Sequence, residues 1–483
     1  MERVFMNIPS QMYIDGEWVD ASDGAVIEVI NPADETVVHT VPAATEADLD
    51  RALAAADRAW KQWREVDAWT RSAKLRAAAD WLRAHREEIA DVLTDEQGKT
   101  TGECLGEIGT AADQFDWYAD EARRIYGRVI DAHSRNNRLL VIRQPVGPVA
   151  AFSPWNFPAL LTSRKMAPAI AAGCSIIVKP PIEAPGTALY LARACEAAGI
   201  PPGVVNMVTG KSSFISRHLI ASDIIRKVSL TGSVPIGREL LRQCVDGIKA
   251  VSMELGGHAP VLVFEDADVE TAAEICARGK CRNNGQVCIA ASRFFVQESV
   301  AERYTEKFVA VVKAQKMGRG KDPGTDVGPL ANRRRLETTE ALVADALAKG
   351  AQLRCGGKRP EGFDKGFWYE PTVLTGVDGT MRIMREEPFC PVAPIATFTT
   401  LEDGLAQANA TEFGLAGYVF TKSTRTAVLA SEGIEAGMIG VNTILLATAE
   451  IPFGGVKHSG YGREGGSEGI LDYTVAKHIN IQL

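Results

Sequence analysis

The chain has 483 residues, 46% hydrophobic and 24% charged, the balance of a folded globular protein and not of a disordered one. That length exceeds one ordinary core and suggests about three units at roughly 150 residues each. A net charge of -8 without a long basic run argues against nucleic acid as a partner, because phosphate binding needs clustered Lys and Arg.

The N-terminal "MERVFMNIPSQMYIDGEWVD" lacks the apolar core of a signal peptide. The longest weakly charged apolar stretch, Met166 to Val178, is shorter than the about 20 residues that span a bilayer, so no membrane partner is expected. Nine cysteines at irregular spacing do not resemble a secreted disulfide framework, and a reducing cytoplasm is the expected location.

Up to about residue 120 the pattern is mostly helical. "EADLDRALAAADRAWKQWREV" and "RSAKLRAAADWLRAHREEIADVLTDEQGK" repeat apolar residues every three or four positions, and Gly98 is a C-cap for the second. From Arg123 to Pro148, "RIYGRVI" and "RLLVIRQPVG" alternate around a polar turn and predict a two-stranded excursion. Between Val149 and Glu254, apolar runs such as "VGPVAAFSP" and "CSIIVKP" alternate with amphipathic ones such as "PALLTSRKMAPAIAAG" and "TALYLARACEAAG". This is the signature of βαβ units and a parallel sheet, and a second such series runs from about Ala259 to Phe420. The last segment, "DYTVAKHINIQL", reads as a strand. "GYGREG", at Gly460, Gly462 and Gly465, matches the dinucleotide fingerprint G-x-G-x-x-G but follows a glycine-rich loop and has no βαβ unit after it. It reads as a loop needing close backbone approach.

Chemistry concentrates in a few segments. "CRNNGQVCIA" spaces Cys281 and Cys288 too far apart for an ordinary zinc pair, so no metal is expected. A reducing compartment disfavours a disulfide between them, which leaves buried packing or a nucleophile. Packing suits Cys174, Cys195 and Cys276; Cys288 instead follows the turn-forming Asn283, Asn284, Gly285 and Gln286. A cysteine nucleophile needs a base and donors for the oxyanion that it creates. Asn156 in "SPWNFP" is a possible donor or an ordinary turn residue. Glu254 in "SMELGGHAP" is a possible base or a surface acid ending a strand, and Glu386 and Glu387 precede an apolar turn.

With "PWNFP", "MELGG", "NNGQVC", "EEPF" and "PFGGVKHSGYGREGG" in this order, the chain resembles the NAD(P)-dependent aldehyde dehydrogenase superfamily from "YIDGEWVD" to the last strand. The resemblance implies an α/β fold: a Rossmann-like cofactor domain (residues 1–122 and 146–255), an α/β catalytic domain (256–440), a small β oligomerisation flap (123–145 and 470–483) and a returning segment lining the site (441–469). It implies a homodimer or homotetramer. By position it makes Cys288 the nucleophile, Glu254 the general base and Asn156 the oxyanion donor, with the backbone N–H of Cys288. Trp155, Lys179, Gly232, Ser233, Glu387 and Phe389 match cofactor-binding positions, and Phe453 matches the aromatic lining the nicotinamide end of the tunnel, where the substrate would bind. The implied reaction adds the thiolate to an aldehyde, passes hydride to the nicotinamide and hydrolyses the thioester with water activated by Glu254.

Some positions depart from the pattern. Ile182 stands where many NAD-preferring members carry a ribose-binding glutamate, so NADP is expected to be accepted alongside or ahead of NAD. Cys390 replaces a usual glycine, and Val234 a frequent threonine. Arg164 and Arg282 match arginines that clamp the distal carboxylate in the succinate-semialdehyde and α-ketoglutarate-semialdehyde members, which favours a short ω-oxo acid as the small-molecule substrate. Internal salt bridges are the other use for both. Ala447 falls where that subgroup often has a serine, with Thr448 as a substitute. A non-catalytic descendant, a CoA-acylating enzyme and an esterase are the competing classes; the retained thiol, base and cofactor motifs count against each.

Overall fold

The computed structural model describes residues 8–483; the first seven residues, at the start of the expected cofactor unit, lie outside the described residues. Four short strands precede the first helix: β1 (Met12–Ile14), β2 (Glu17–Val19), β3 (Val26–Ile30) and β4 (Val37–Pro42). They qualify the mostly helical reading of this region, since three-residue strands are too short to show alternation. Helix α1 (Glu46–Trp63) opens on a capping box between Thr45 and Asp48. The long second helical pattern is two helices, α2 (Ala68–Ala84) and α3 (Arg86–Gln97), broken at His85. The His85 ring stacks on Trp81 at 3.8 Å and its Nδ1 donates to the Trp81 carbonyl at 2.9 Å, so the chain turns while its apolar period runs on. Gly98 ends α3 in the left-handed region, as expected of a C-cap, and α4 (Thr101–Glu121) follows at once.

The excursion is the hairpin β5 (Arg128–Ile130) and β6 (Asn137–Pro145). The chain then enters the alternating series β7 (Val149–Phe152), α5 (Pro158–Ala172), β8 (Ile176–Lys179), α6 (Pro185–Ala197), β9 (Val205–Met207), α7 (Ser212–Ala221), β10 (Lys227–Thr231), α8 (Val234–Val245) and β11 (Ala250–Glu254). Strands β7 to β11 are parallel, in the order β9-β8-β7-β10-β11, with β1 and β2 added beyond β9. The residues of β7, β8, β9 and β10 are all buried, as in a parallel sheet covered by helices on both faces. From β7 the chain steps outward to β9, then crosses back to place β10 on the other side of β7. That reversal opens a crevice at the carboxyl ends of the strands, where α/β sheets bind ligands.

A second sheet, of seven strands, has the order β14-β15-β16-β13-β12-β18-β19. Its elements are β12 (Ala259–Val263), α9 (Val269–Cys281), β13 (Ala291–Gln297), α10 (Ala301–Lys313), α11 (Arg333–Ala348), β14 (Gln352–Cys355), β15 (Thr372–Thr375), β16 (Val392–Phe398), α12 (Leu401–Asn409), β17 (Phe413–Gly414), β18 (Ala416–Phe420), α13 (Thr424–Gly433) and β19 (Met438–Val441). The chain then returns: β20 (Val456–Lys457) pairs with β17, and β21 (Gly460–Tyr461) adds to the first sheet against β11. After α14 (Gly466–Leu471), β22 (Thr474–Gln482) pairs with β6 along its whole length, from Thr474 opposite Pro145 to Gln482 opposite Asn137. A Cβ on Gly460 would lie 2.0 Å from the Met253 carbonyl oxygen, so "GYGREG" is a close-approach strand and not a phosphate loop. Among the described residues no helix is long and apolar enough to cross a membrane.

Candidate active site

A cleft of about 860 Å³ lies at the carboxyl ends of β7, β8, β10 and β11 and is closed by α11 and by loops that connect elements around the second sheet. Asn156 enters it just past β7, Lys179 at the end of β8, Gly232 and Ser233 past β10, and Glu254 at the end of β11. Cys288 reaches the same cleft from the loop after α9. That loop begins with a 3-10 turn, Arg282–Gly285, in which Asn283 and Asn284 take φ of 44° and 53°. Asn tolerates the left-handed region better than other non-glycine residues. The Ala290 N–H then closes a turn onto the Val287 carbonyl at 3.0 Å, which leaves Cys288 partly open to the cleft.

Three neighbours define the thiol's environment. Burial pushes the Cys288 thiol well above its ordinary pKa, the Glu254 carboxylate adds to this, and the Arg164 guanidinium opposes it. Glu254 is itself buried, with neither carboxylate oxygen hydrogen-bonded. Burial first, and Glu464 second, raise it to about 8, against the pull of Lys165 and Arg164. The resting pair near neutrality is therefore a thiol beside a largely protonated carboxyl. Asn156, 2% exposed, donates one N–H from Nδ2 to the Gln286 carbonyl at 3.1 Å, and its Oδ1 has no partner. The amide's second N–H remains for another acceptor.

The two glycines after Glu254 are required by close approach. A Cβ on Gly256 would stand 2.5 Å from Glu387 Oε2, and one on Gly257 would stand 2.6 Å from the Cys288 carbonyl oxygen. The Gly257 N–H donates to Glu387 Oε1 at 3.0 Å. Burial raises Glu387 to about 7, opposed by that N–H and by Arg335. At the far end Lys179 is 4% exposed, and burial lowers it to about 8 against the charge of Glu183. Ile182, Lys211 and Arg217 line the same end. Trp155 packs edge-on against Phe389 at 5.6 Å, and Phe389 takes a φ of 46° beside Cys390. The Glu387 carboxyl, the Lys179 amine and the N-terminus of α8, all lining one cleft, fit a dinucleotide, whose phosphates suit a helix N-terminus.

The residues expected at the substrate separate. Arg164 is 1% exposed on α5, with Nε and Nη2 unpartnered, and its guanidinium lies 4.0 Å over the ring of the buried Phe453. Arg282 is exposed and stands 5.2 Å from the ring of Phe157, the residue after Asn156. Thr448 lines a separate cleft of about 490 Å³ with Ala447 and Trp117. Sequence reasoning missed Lys165 and Glu464. Lys165 Nζ donates to Thr231 Oγ1 at 2.7 Å and pairs with Glu464, and both charges act on Glu254. The available signal was two adjacent cations, Arg164 and Lys165, the charged residues of an otherwise uncharged and mostly apolar helix.

The family model for the aldehyde dehydrogenase family matches residues 18–479. A glutarate-semialdehyde dehydrogenase of Pseudomonas putida is 43% identical, covering 98% of each chain. The NADP(+) succinate-semialdehyde dehydrogenase of Escherichia coli is 42% identical, also covering 98% of each. Among solved structures, a succinate-semialdehyde dehydrogenase from Burkholderia pseudomallei superposes with a TM-score of 0.96 at 43% identity over 98% of both chains. The fold, the thiol, amide and carboxyl in one cleft, and a match over nearly the whole length agree: the chain belongs to the aldehyde dehydrogenase family.

Proposed function

We propose that this aldehyde dehydrogenase oxidises a short ω-oxo acid, such as succinate semialdehyde, to the dicarboxylic acid through a thioester on Cys288. The observation that carries this reading is Arg164: a buried guanidinium with two unpartnered N–H-bearing nitrogens, whose charge acts on both the thiol and the base. A buried charge without partners is expensive, and a substrate carboxylate would supply two parallel charge-assisted bonds. Similarity to relatives named for succinate and glutarate semialdehydes supports the same class.

In this reading Glu254 takes the thiol proton and Cys288 attacks the aldehyde carbon. Asn156 Nδ2 and the Cys288 backbone N–H hold the resulting alkoxide. A bound nicotinamide cofactor supplies a hydride acceptor. Once Glu254 has released the thiol proton to solvent, it draws a proton from water, whose oxygen attacks the thioester carbon and expels Cys288 as the thiolate. Lys179 and Glu387 would hold the two riboses, and Ser233 at the start of α8 the pyrophosphate. We propose that NADP is accepted at least as well as NAD, because Ile182 stands where a ribose-binding carboxylate would repel a 2′-phosphate, and Lys179, Lys211 and Arg217 line that end against the one neighbouring charge of Glu183. A cytoplasmic homodimer or homotetramer, with the domains and flap divided as the resemblance implies, completes the proposal.

The test measures NAD(P)H formation with succinate semialdehyde, glutarate semialdehyde, propionaldehyde and benzaldehyde, using each cofactor. The expected result is a kcat/KM for the ω-oxo acids at least about a hundredfold above the apolar aldehydes, the scale of a lost bidentate ionic contact. Equal use of propionaldehyde would refute the substrate class. A strong NAD preference would refute the cofactor reading.

A further inference from the structure

The groups that hold Asn156 come from a part of the chain far from the catalytic trio. The junction of α3 and α4, Gln97-Gly98-Lys99, is buried, with Gln97 0% and Lys99 2% exposed. Lys99 Nζ donates to the Asn156 backbone carbonyl at 2.7 Å and to Glu107 Oε2 at 2.6 Å. The ammonium also stands 4.0 Å from the centre of the Phe157 ring. The other oxygen of Glu107 accepts from the Ala159 N–H at 2.8 Å and the Leu160 N–H at 3.3 Å, the opening amides of α5. Gln97 Nε2 donates to Asn283 Oδ1 at 2.9 Å, and Asn283 Nδ2 donates to the Asn156 carbonyl at 3.0 Å. One turn thus grips both the loop that carries the amide and the loop that carries the thiol.

Removing an ammonium and a carboxylate from water is costly, and apolar residues of similar size would often fold as well. A pair directed onto one peptide does something that such residues would not: it fixes that peptide's orientation. We propose that Lys99 and Glu107 are positioning residues for the reaction, fixing the Asn156 peptide so that its side-chain amide is aimed at the alkoxide formed on Cys288. This rests on the reading of Asn156 as oxyanion donor. Lys99 acts only through Asn156, so its effect vanishes once that amide is gone.

The experiment is a double-mutant cycle on the full-length enzyme with Asn156→Ala, Lys99→Met and the two combined, read as kcat with succinate semialdehyde and Kd for NADP. Lys99→Met lowers kcat roughly 10- to 100-fold, the scale of a misplaced catalytic group, with Kd for NADP within about threefold. In the Asn156→Ala background it adds less than about threefold. Losses that multiply in full, or an unchanged kcat in Lys99→Met, overturn the proposal. Wild-type turnover in Asn156→Ala would instead refute the oxyanion reading itself. Because Lys99→Met leaves the Glu107 carboxylate alone, Lys99→Met/Glu107→Gln is measured in the same way, with no charge stranded, and the same pattern is expected. If Tm and NADP binding collapse together with kcat in both variants, Lys99 is purely structural and the proposal fails.

Discussion

Glu254 is a carboxyl whose burial, without one hydrogen-bond donor, raises it to about 8. Its basic form therefore grows as pH rises through that value and is scarce below it. With thioester hydrolysis limiting, kcat should climb between about pH 7 and 9 and then level, and Glu254→Gln should remove that limb and lower kcat at least about a hundredfold. A pH–rate profile flat across this range would contradict the assignment. The charge of Arg164 acts on the thiol in the opposite sense. Arg164→Met should lower kcat/KM for succinate semialdehyde about a hundredfold while leaving propionaldehyde within about threefold, the signature of a lost carboxylate contact. Parallel losses on both substrates would show instead that Arg164 serves the chemistry through its charge on Cys288 and Glu254.

At the scale of elements, the link between β11 and β12 is where the two sheets meet, and its two glycines have different neighbours. A methyl on Gly256 meets a side-chain carboxylate, which can shift; a methyl on Gly257 meets the backbone carbonyl of Cys288, which is held by its turn. Gly256→Ala should therefore weaken cofactor binding by displacing Glu387, with a modest change in Tm. Gly257→Ala should lose activity outright and destabilise by about 1–3 kcal/mol, the usual range for overpacking. Cofactor titration and thermal unfolding separate the two outcomes. The βαβ elements were legible because apolar runs and amphipathic stretches have different periods. The break at His85 was not, since the apolar period passes through it and no Pro or Gly marks it.

At the scale of the whole molecule, the three-stranded sheet β22-β6-β5 leaves apolar residues exposed, among them Val129, Val475 and Ile481. If this sheet is the oligomerisation flap, Val475→Asp/Ile481→Asp should shift a dimer or tetramer toward the monomer in sedimentation velocity, with the far-UV spectrum kept. An unchanged sedimentation coefficient would place the interface elsewhere.

Read along the chain, the motifs pointed to candidate reacting groups, and local periodicity located the strand ends on which several of them sit. Three short motifs held Asn156, Glu254 and Cys288, and local periodicity placed Lys179 at the end of β8 and Glu254 at the end of β11. Only the tertiary structure decided which charges surround them. Arg164 and Arg282 read as equals along the chain, yet one is buried against Phe453 and the other is exposed over Phe157. Lys165 meets Glu464, and Lys99 meets the Asn156 carbonyl, across separations that no spacing rule spans. The reason is physical: periodicity records which face a residue takes within its own element, whereas a charge's strength and partner depend on what burial brings beside it from the rest of the chain.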